Sequence, residues 1–444
     1  MYAGLSCLRK PLRAESRALN PENENEAERA HVPLIKKLGP GLVTGAADDD
    51  PSGIATYSQA GAQYGYGLLW SVLFTTPLMI GIQVVSARIG RVTGHGLAAN
   101  IRERFPRPLL YFIVSLLLVA NTINLAADLG AMGDALALVA GGRSEIYDVL
   151  FALVSLTLQI FVPFPRYAPV LKWLTLALFA YVGTVLVVHV PLKESLLGTL
   201  LPTLTFDGSY LAIFVAVLGT TISPYLFFWQ ASQEVEEQRA TPGNEPLRQA
   251  PEQARSHLAR IKIDTTVGMI YSNLIAFCIM LTTAVTLHAA GVTDIRSAAQ
   301  AAEALRPLAG DFAFLLFAAG IIGTGLLAVP VLAGSAAYAV AETFRWPIGL
   351  GLTLAQARGF YAILTVATVL GVGIDLYGVD SMKMLVWSAI INGVIAVPIM
   401  AVMMLLAVNS AVMGFFVVSR RLKVLGWLAV AVMGASVIAM LWLI

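Results

Sequence analysis

Charged residues are scarce in this chain of 444 residues, since Asp, Glu, Lys and Arg together make up only 13% of it. Soluble domains carry about 25% of such residues, so this sequence has too little charge to cover a water-facing surface. Apolar and aromatic residues make up 57%, and the mean hydropathy is +0.76. The composition therefore predicts an integral membrane protein.

Cysteine is almost absent as well, with only Cys7 and Cys278 in the chain. Two cysteines cannot build a disulfide framework or a cysteine zinc site. A net charge of +2 gives no reason to expect a nucleic-acid partner. The motifs His-Glu-x-x-His and Gly-x-Ser-x-Gly, which mark hydrolytic sites, do not occur in the apolar stretches. We therefore expect neither an enzyme nor a resident cofactor.

A membrane-spanning helix needs about 20 mostly apolar residues, and eleven stretches meet this requirement. They predict an all-α membrane domain over 37–444, with spans near 38–64, 68–92, 109–140, 147–164, 168–190, 208–232, 262–289, 312–341, 358–378, 382–408 and 424–443. Residues 1–36 are polar and predict a disordered cytoplasmic tail without the apolar core of a signal peptide. The loop at about 233–259 is rich in Glu, Gln, Arg and Pro, which is typical of a solvated cytoplasmic linker.

The positions of lysine and arginine predict the orientation. If the N-terminus is cytoplasmic, the tail and the even-numbered loops carry 24 of the 29 basic residues. Cytoplasmic loops of membrane proteins are enriched in these residues. We therefore expect a multi-pass protein of the cell (inner) membrane, with its N-terminus in the cytoplasm and its C-terminus outside.

The first span contains three consecutive acids beside a proline, Asp48-Asp49-Asp50-Pro51. An acidic side chain at the centre of a membrane helix costs about 2.5–3.5 kcal/mol, and proline removes a backbone donor. The pattern predicts a broken helix whose acids need a cation, water or protein partners. An alternative is that 38–47 is a re-entrant piece, which leaves the acids in an aqueous loop.

The sixth span repeats the interruption, within the segment Gly219-Thr220-Thr221-Ile222-Ser223-Pro224-Tyr225-Leu226. It follows the first span by five spans, an odd number, so the two spans run in opposite directions through the membrane. Paired interrupted helices in two inverted halves indicate a transporter with its binding site near the membrane midplane.

These interrupted segments make the chain resemble the Nramp family of divalent-metal transporters. The matching segments, in chain order, are Gly39-Pro40-Gly41, Asp50-Pro51-Ser52-Gly53, 86–94, Ala127-Asp128-Leu129 with Gly133, and 219–230. The resemblance implies a LeuT-like fold of two inverted five-helix repeats in which helices 1 and 6 are broken. Helices 1–5 then occupy about 38–190, helices 6–10 about 208–408, and an eleventh helix about 424–443.

Four positions depart from the family's motifs. Where the family has a metal-binding Met and two His, this chain has Ser223, Tyr225 and Gln230, and Gly53 replaces the Asn of the first motif. These substitutions resemble those of the Nramp-related magnesium transporters, which implies transport of Mg²⁺, and also Mn²⁺, without proton coupling. A thioether favours soft transition metals, whereas Mg²⁺ takes oxygen ligands and retains several waters. Loss of the Met and Asn side chains therefore favours a wider site for a hard, partly hydrated cation.

The metal site expected from these motifs centres on the Asp50 carboxylate, for which a purely structural helix cap is the alternative role. By family position, the backbone carbonyls of Ala47 and Thr220 are further ligands, since unwound backbone in a membrane must find partners. Gly53 and Ser223 complete the predicted site. Five residues are expected around it, in a second layer or along the pathway: Asp49, Tyr225, Gln230, Asp128 and Asn392. A hydrogen bond between helices is the competing interpretation of the last of these.

Proton coupling is not expected. Histidine is the side chain that titrates nearest neutral pH, and all five histidines lie away from the broken helices. The acid that the family has three residues after Asp128 is Ala131 here, although Asp128 itself remains able to carry a proton. The preferred mechanism is alternating access with downhill cation entry, and the expected partners are the divalent cation and the lipid bilayer.

Two other functions stay open from the sequence. One is a proton-coupled manganese or iron importer of the ordinary Nramp type. The other is a sodium-coupled solute transporter on the same fold, which would need polar groups for a carboxylate or an amine.

Overall fold

The computed structural model describes residues 39–163, 166, 173 and 175–443, and the predicted tail lies outside them. None of the described residues forms a strand. In chain order the α-helices are α1 Pro40–Asp48, α2 Pro51–Tyr64, α3 Leu69–Thr93, α4 Leu97–Arg104, α5 Arg107–Ala140, α6 Ser144–Phe161, α7 Phe179–Val187, α8 Leu192–Leu200, α9 Gly208–Thr221, α10 Pro224–Ala240, α11 Ala254–Thr283, α12 Ala298–Glu303, α13 Arg306–Ala309, α14 Ala313–Phe344, α15 Arg358–Asp375, α16 Ser381–Ala407, α17 Ser410–Met413 and α18 Arg420–Leu443.

Within the described ranges, nine helical runs are long and apolar enough to cross a membrane. One of them, Pro51–Thr93, contains α2 and α3, joined by a turn in which Gly65 has a left-handed φ of 55°. This run therefore holds parts of two predicted spans. The fifth predicted span, 168–190, begins in residues that are not described, and α7 covers part of its second half. Each of the other predicted spans overlaps a described helix or a pair of half-helices.

Both predicted helix breaks are present. α1 ends at Asp48 and α2 begins at Pro51, while α9 ends at Thr221 and α10 begins at Pro224. Proline cannot donate the backbone hydrogen bond that a continuous helix needs, but it fits the first turn of a new helix. The proline at the start of each second half therefore accounts for the interruption.

Small residues allow α1 to lie directly against α11. A Cβ atom on Gly45 would overlap the backbone of Gly268, and one on Gly41 would overlap the backbone of Thr265. Membrane helices gain stability from such close backbone approach because lipid provides no hydrophobic driving force between them. The first half of the broken first span is thus held closely against the seventh span.

A side chain from another helix caps the start of α1. Gly39 occupies the cap position and has no side chain to accept the first N–H groups. The carboxylate of Asp264, in α11, accepts hydrogen bonds from the backbone N–H groups of Gly39, Gly41 and Leu42, at 2.7–3.1 Å. This contact satisfies donors that every helix start leaves unpaired, and it ties α1 to α11.

Ion pairs join α11 to α10 at the same end of the bundle. Arg260, one turn before Asp264, contacts Glu234 at 2.6 Å and Glu237 at 2.8 Å. The Glu234 side chain is fully buried, so this pair is well shielded from water. Together with the Asp264 cap, these pairs close the end of the bundle at which α1 begins.

The outer surface of the helix bundle is strongly apolar. α5, with 34 residues, is the longest helix and packs against α14, α15 and α16. Large apolar side chains remain exposed on the peripheral helices, among them Leu153, Leu186, Val369 and Ile438. An apolar surface of this extent is suited to contact with lipid.

Candidate metal centre

Asp50 lies at the break of the first span and caps its second half. Its backbone is extended, with φ −68° and ψ 169°, and its Oδ1 accepts a hydrogen bond from the backbone N–H of Gly53 at 2.7 Å. Aspartate is a favoured cap because its carboxylate satisfies an N–H group that has no partner within the helix. The residue is 2% exposed. Asp50 therefore does cap α2, through Oδ1. Its second oxygen, Oδ2, accepts hydrogen bonds from other residues.

Two polar side chains converge on Oδ2 of Asp50. Asn124 in α5 donates from its Nδ2 at 3.1 Å, and the Tyr225 hydroxyl in α10 also lies 3.1 Å away. The same hydroxyl lies 3.1 Å from the backbone carbonyl oxygen of Ala47, so it can donate to either acceptor. The Tyr225 hydroxyl thus contacts both Asp50 and Ala47, and all three residues were predicted at or around the site.

The break of the sixth span lies beside that of the first. A Cβ atom on Gly53 would lie 3.0 Å from Oγ1 of Thr220, so the missing side chain lets α2 and α9 approach closely. Ser223 precedes α10, and its hydroxyl donates back to the carbonyl oxygens of Gly219 and Thr220, at 2.9 and 2.8 Å. Its oxygen keeps acceptor lone pairs. At Gly53, the approach of α9 takes up part of the space that the missing side chain leaves.

Asp128, in α5, is a second buried carboxylate close to Asp50. It faces Asp50 and the backbone of Ser52, and neither of its oxygens makes a well-formed hydrogen bond. Asn392, in α16, donates to Oδ1 of Asn124 at 3.3 Å, while its own Oδ1 has no partner in the described part of the chain. Asn392 therefore makes the bond between helices that was the competing interpretation, and it connects α16 to Asp50 through Asn124.

The two acids before Asp50 face a different helix. The Ser272 hydroxyl, in α11, lies 2.6 Å from Oδ2 of Asp48 and 3.1 Å from Oδ1 of Asp49. Both acids are fully buried, and each keeps one oxygen without a hydrogen-bond partner. The acids therefore do not lie in an aqueous loop, which was the alternative to a broken helix. Asp49 therefore lies with Asp48 against Ser272 of α11, and it is not among the residues that contact Asp50 directly.

The buried Gln230 amide is hydrogen-bonded to two other helices. Its side-chain oxygen accepts a hydrogen bond from Nε2 of Gln83 at 2.6 Å, and its nitrogen donates to Oγ1 of Thr265 at 2.8 Å. The amide group thus joins α3, α10 and α11.

Asn124 and Ser272 are polar neighbours of the acids that we did not assign to the site from the motifs. Asn124 lies four residues before Asp128, a spacing that places both side chains on one face of α5. That spacing is the signal that identifies Asn124. The contact of Ser272 depends on how α11 packs against the first span, and no local pattern predicts it.

The paired breaks hold negative charge without a basic partner. Asp48, Asp49, Asp50 and Asp128 are buried, and none of them forms an ion pair with a lysine or arginine that the structure describes. An unpaired buried carboxylate is strongly destabilised. No three His, Cys, Asp or Glu side chains in the described ranges form a ready-made metal cluster. A cation here would therefore take its ligands from one carboxylate, backbone carbonyls, hydroxyls and water.

An apolar layer separates these residues from an open cavity. Mostly apolar residues, among them Ile54, Phe317 and Leu385, line a void of about 10 Å³ one helix turn beyond Asp50 on α2, and Asp134 and Ser381 also line it. A void of this size is at the lower limit for a single water. Beyond the layer lies a cavity of about 450 Å³ at the ends of α5 and α15. The site is thus closed off from that cavity.

Two antiparallel interrupted helices that meet beside unpaired carboxylates define a secondary transporter of the LeuT-like class. Solved structures share this fold. A mutant of the Eremococcus coleocola manganese transporter has a TM-score of 0.70 at 17% identity, over 91% of this chain and 85% of that chain. Mhp1, a nucleobase-cation-symport-1 family transporter, has a TM-score of 0.55 at 14% identity, over 92% of each chain. The predicted fold class is confirmed.

Sequence comparisons define the family. Residues 41–443 match the Nramp family, described as natural resistance-associated macrophage protein-like. The divalent metal cation transporter MntH of Deinococcus radiodurans is 30% identical over 424 residues, which cover 92% of this chain and 90% of that protein. The protein of the same name from Klebsiella pneumoniae (strain 342) is 27% identical over 419 residues, which cover 92% and 94%. The chain therefore belongs to the Nramp family and is a multi-pass membrane transporter, not an enzyme.

Substitution of Asp50 separates its role as a cap from its charge. Asparagine caps helices about as well as aspartate, so Asp50→Asn is expected to keep the cap of α2 and to lose cation uptake, because the carboxylate is gone and the new NH₂ group cannot accept from Asn124 and Tyr225. Asp50→Ala loses the cap as well and should unfold with about 1 kcal/mol less stability. Thermal unfolding in detergent and uptake into proteoliposomes measure the two effects. Uptake by Asp50→Asn at the wild-type rate would place the ion site elsewhere.

Proposed function

We propose that the protein carries a hard divalent cation, Mg²⁺ and also Mn²⁺, across the membrane by alternating access without proton coupling. The observation that carries this proposal is the set of groups at the paired breaks. They are the carboxylate of Asp50, the carbonyl of Ala47 and the hydroxyls of Tyr225 and Ser223, all of which offer oxygen. Mg²⁺ binds such ligands and usually keeps several of its waters.

The residues that replace the family's soft ligands support a hard cation. Ser223 stands where the Nramp motif has Met, and Tyr225 stands where it has His. Thioether ligands select soft metals, whereas carboxylate, carbonyl and water ligands suit Mg²⁺ and Mn²⁺ alike. The relatives are named as transporters of divalent metal cations and of manganese, which agrees with a site that accepts both hard ions.

The distribution of titratable groups supports transport without protons. The four histidines in the described ranges lie away from Asp50, near the ends of helices: His95, His189, His257 and His288. Ala131, where the family has a second acid, lines the apolar layer. Asp128 then lacks an acid one turn further along α5, and the next acid on that helix is Asp134. A proton-coupled manganese or iron importer is the alternative, because Asp128 itself is buried beside Asp50.

A sodium-coupled solute transporter is less well supported. Such a protein would need a basic group to hold a solute carboxylate or an uncrowded cavity to hold a solute body. The carboxylates at the breaks have no basic partner among the residues described. This observation favours a cation.

The membrane potential is the proposed driving force. A potential of 100 mV contributes about 2.3 kcal/mol for each charge that crosses, and a divalent cation carries two. Buried negative charge at the breaks offsets the loss of water around the ion. Entry of the cation therefore needs no second ion.

Flux into proteoliposomes tests the proposal. Uptake of Mg²⁺ and Mn²⁺, read with ion-sensitive dyes, should increase with an inside-negative potential set by potassium and valinomycin, while an internal pH dye stays constant. Proteoliposomes with Asp50→Asn are the control. The assignment is wrong if iron is carried, protons follow the metal and Mg²⁺ neither moves nor competes.

Ser223→Met tests whether this residue faces the ion. The new thioether should shift the uptake ratio of Cd²⁺ to Mg²⁺ toward the softer metal by about tenfold, equivalent to about 1.4 kcal/mol. Ser223→Ala is the matched control, because it removes the hydroxyl without adding sulfur. An unchanged ratio in Ser223→Met would count against a position of Ser223 at the ion.

We also propose the orientation that the basic residues predict, in the inner membrane with the N-terminus in the cytoplasm and the C-terminus outside. Cys7 in the tail is a natural reporter, because the other cysteine, Cys278, is buried. A membrane-impermeant maleimide should label the protein in inverted vesicles and leave it unlabelled in intact cells. Cys7→Ser should abolish the labelling, and labelling in intact cells would reverse the topology.

A further inference from the structure

The cavity beyond the apolar layer has an acidic wall. Its volume is about 450 Å³, and it lies between the end of α5, the start of α6, the end of α15 and the start of α16. Under the proposed orientation it opens to the outside. Five of its lining residues are acidic and one is basic: Asp134, Glu145, Asp148, Asp375, Asp380 and Arg296.

Two of these acids form a buried pair. Asp148 is 2% exposed and faces the carboxyl group of Asp375, which is 7% exposed. The two carboxyl groups are within hydrogen-bond reach of each other, while Oδ1 of Asp148 makes no further hydrogen bond among the described residues. Both side chains line the cavity, and burial of carboxylates without a positive partner is unfavourable.

Glycines on α5 make the room that the pair occupies. A Cβ atom on Gly133 would overlap Oδ1 of Asp148, and one on Gly130 would overlap Oδ1 of Asp375. The two glycines are three residues apart and so lie on one face of the helix. The carboxylates thus lie side by side against the part of the α5 surface that these two glycines leave without side chains.

The nearby bases do not neutralise the pair. Arg296 contacts Asp294 at 2.8 Å, and Arg143 contacts Glu145 at 3.3 Å, both at exposed positions. Of the remaining acids on the cavity wall, Asp134 approaches both members of the pair and adds further negative charge, while Asp380 caps the start of α16. The cavity wall around the pair therefore carries an excess of negative charge, with five acids and one base.

We propose that Asp148 and Asp375 bind a divalent cation, which makes a second site in the outer cavity before the apolar layer. Two carboxylates with retained waters are a usual environment for Mg²⁺, and Mn²⁺ accepts the same ligands. The cavity has room for the water shell. Binding at this pair does not depend on the proposed function; only its role as the point of entry to Asp50 rests on it.

Cation binding to the purified full-length chain in an Asp50→Ala background tests the pair. Mn²⁺ is the probe, because the electron paramagnetic resonance signal of the free ion falls when it binds. We expect Asp50→Ala to bind Mn²⁺, and addition of Asp148→Asn with Asp375→Asn to weaken this binding by about tenfold or more, equivalent to about 1.4 kcal/mol. Excess Mg²⁺ should displace the bound Mn²⁺.

The matched control removes the same amount of charge from the cavity wall outside the pair. Glu145→Gln with Asp380→Asn, in the same background, should change the affinity much less, and asparagine retains the cap at the second position. The proposal is overturned if this control weakens binding as much as the pair variant does, or if Asp50→Ala binds no Mn²⁺. Unchanged binding in the pair variant would show that the two carboxyl groups merely share a proton.

Gly133→Ala provides an independent test that keeps every charge. The added methyl group must displace the Asp148 carboxylate, so Mn²⁺ binding should weaken although alanine favours the helix. Wild-type affinity in this variant would also contradict the proposal. The Gly133→Ala variant also keeps the proposal testable if the doubly substituted protein fails to fold, which gel filtration would show.

Transport distinguishes failure of this inference from failure of the proposed function. With Asp50 intact, Asp148→Asn with Asp375→Asn should raise the cation concentration needed for half-maximal uptake and leave the maximal rate unchanged. If Mn²⁺ binds at the pair but Mg²⁺ is not transported, the proposed function fails and the second site stands. If transport is normal and the pair binds no Mn²⁺, the second site fails and the proposed function stands.

Discussion

Burial of carboxylates at a helix break is the constraint on which the rest of the structure depends. Inside a membrane there is no bulk water, so the backbone groups that a break frees and the charges beside it need partners within the protein. Asp50 meets part of this requirement, because one oxygen caps α2 and the other accepts from Asn124 and Tyr225. One side chain thus holds α2, α5 and α10 together, and its charge still lacks a positive partner.

The two breaks also arrange helix ends of opposite polarity around this charge. α1 and α9 end there, with carbonyl groups that have no partner within the helix, and α2 and α10 begin there, with unpaired N–H groups. The partial positive charge at the start of α2 lies beside the Asp50 carboxylate. The carbonyls of Ala47 and Thr220, near the ends of α1 and α9, accept hydrogen bonds from the hydroxyls of Tyr225 and Ser223. Side chains of α10 and of the break before it thus satisfy backbone groups that both interruptions leave free.

Composition and proline positions were enough to predict the membrane domain, the two breaks and the place of Asp50. These features are local, because a proline or an acid within an apolar stretch can be recognised from the residues next to it in the sequence. Contacts between distant segments could not be predicted in this way. The cap that Asp264 gives α1 joins residues more than 220 positions apart, and Gln230, expected near the ion by family position, is engaged with Gln83 and Thr265 instead.

The apolar layer determines how a cation can move between the outer cavity and Asp50. Its void of about 10 Å³ admits no more than one water, so a hydrated divalent ion cannot diffuse through it. Ile54 contributes to the layer from α2, the helix that Asp50 caps. A displacement of α2 that opens the layer must therefore also move the Asp50 carboxylate. The apolar layer and the position of the Asp50 carboxylate are thus linked through one short helix.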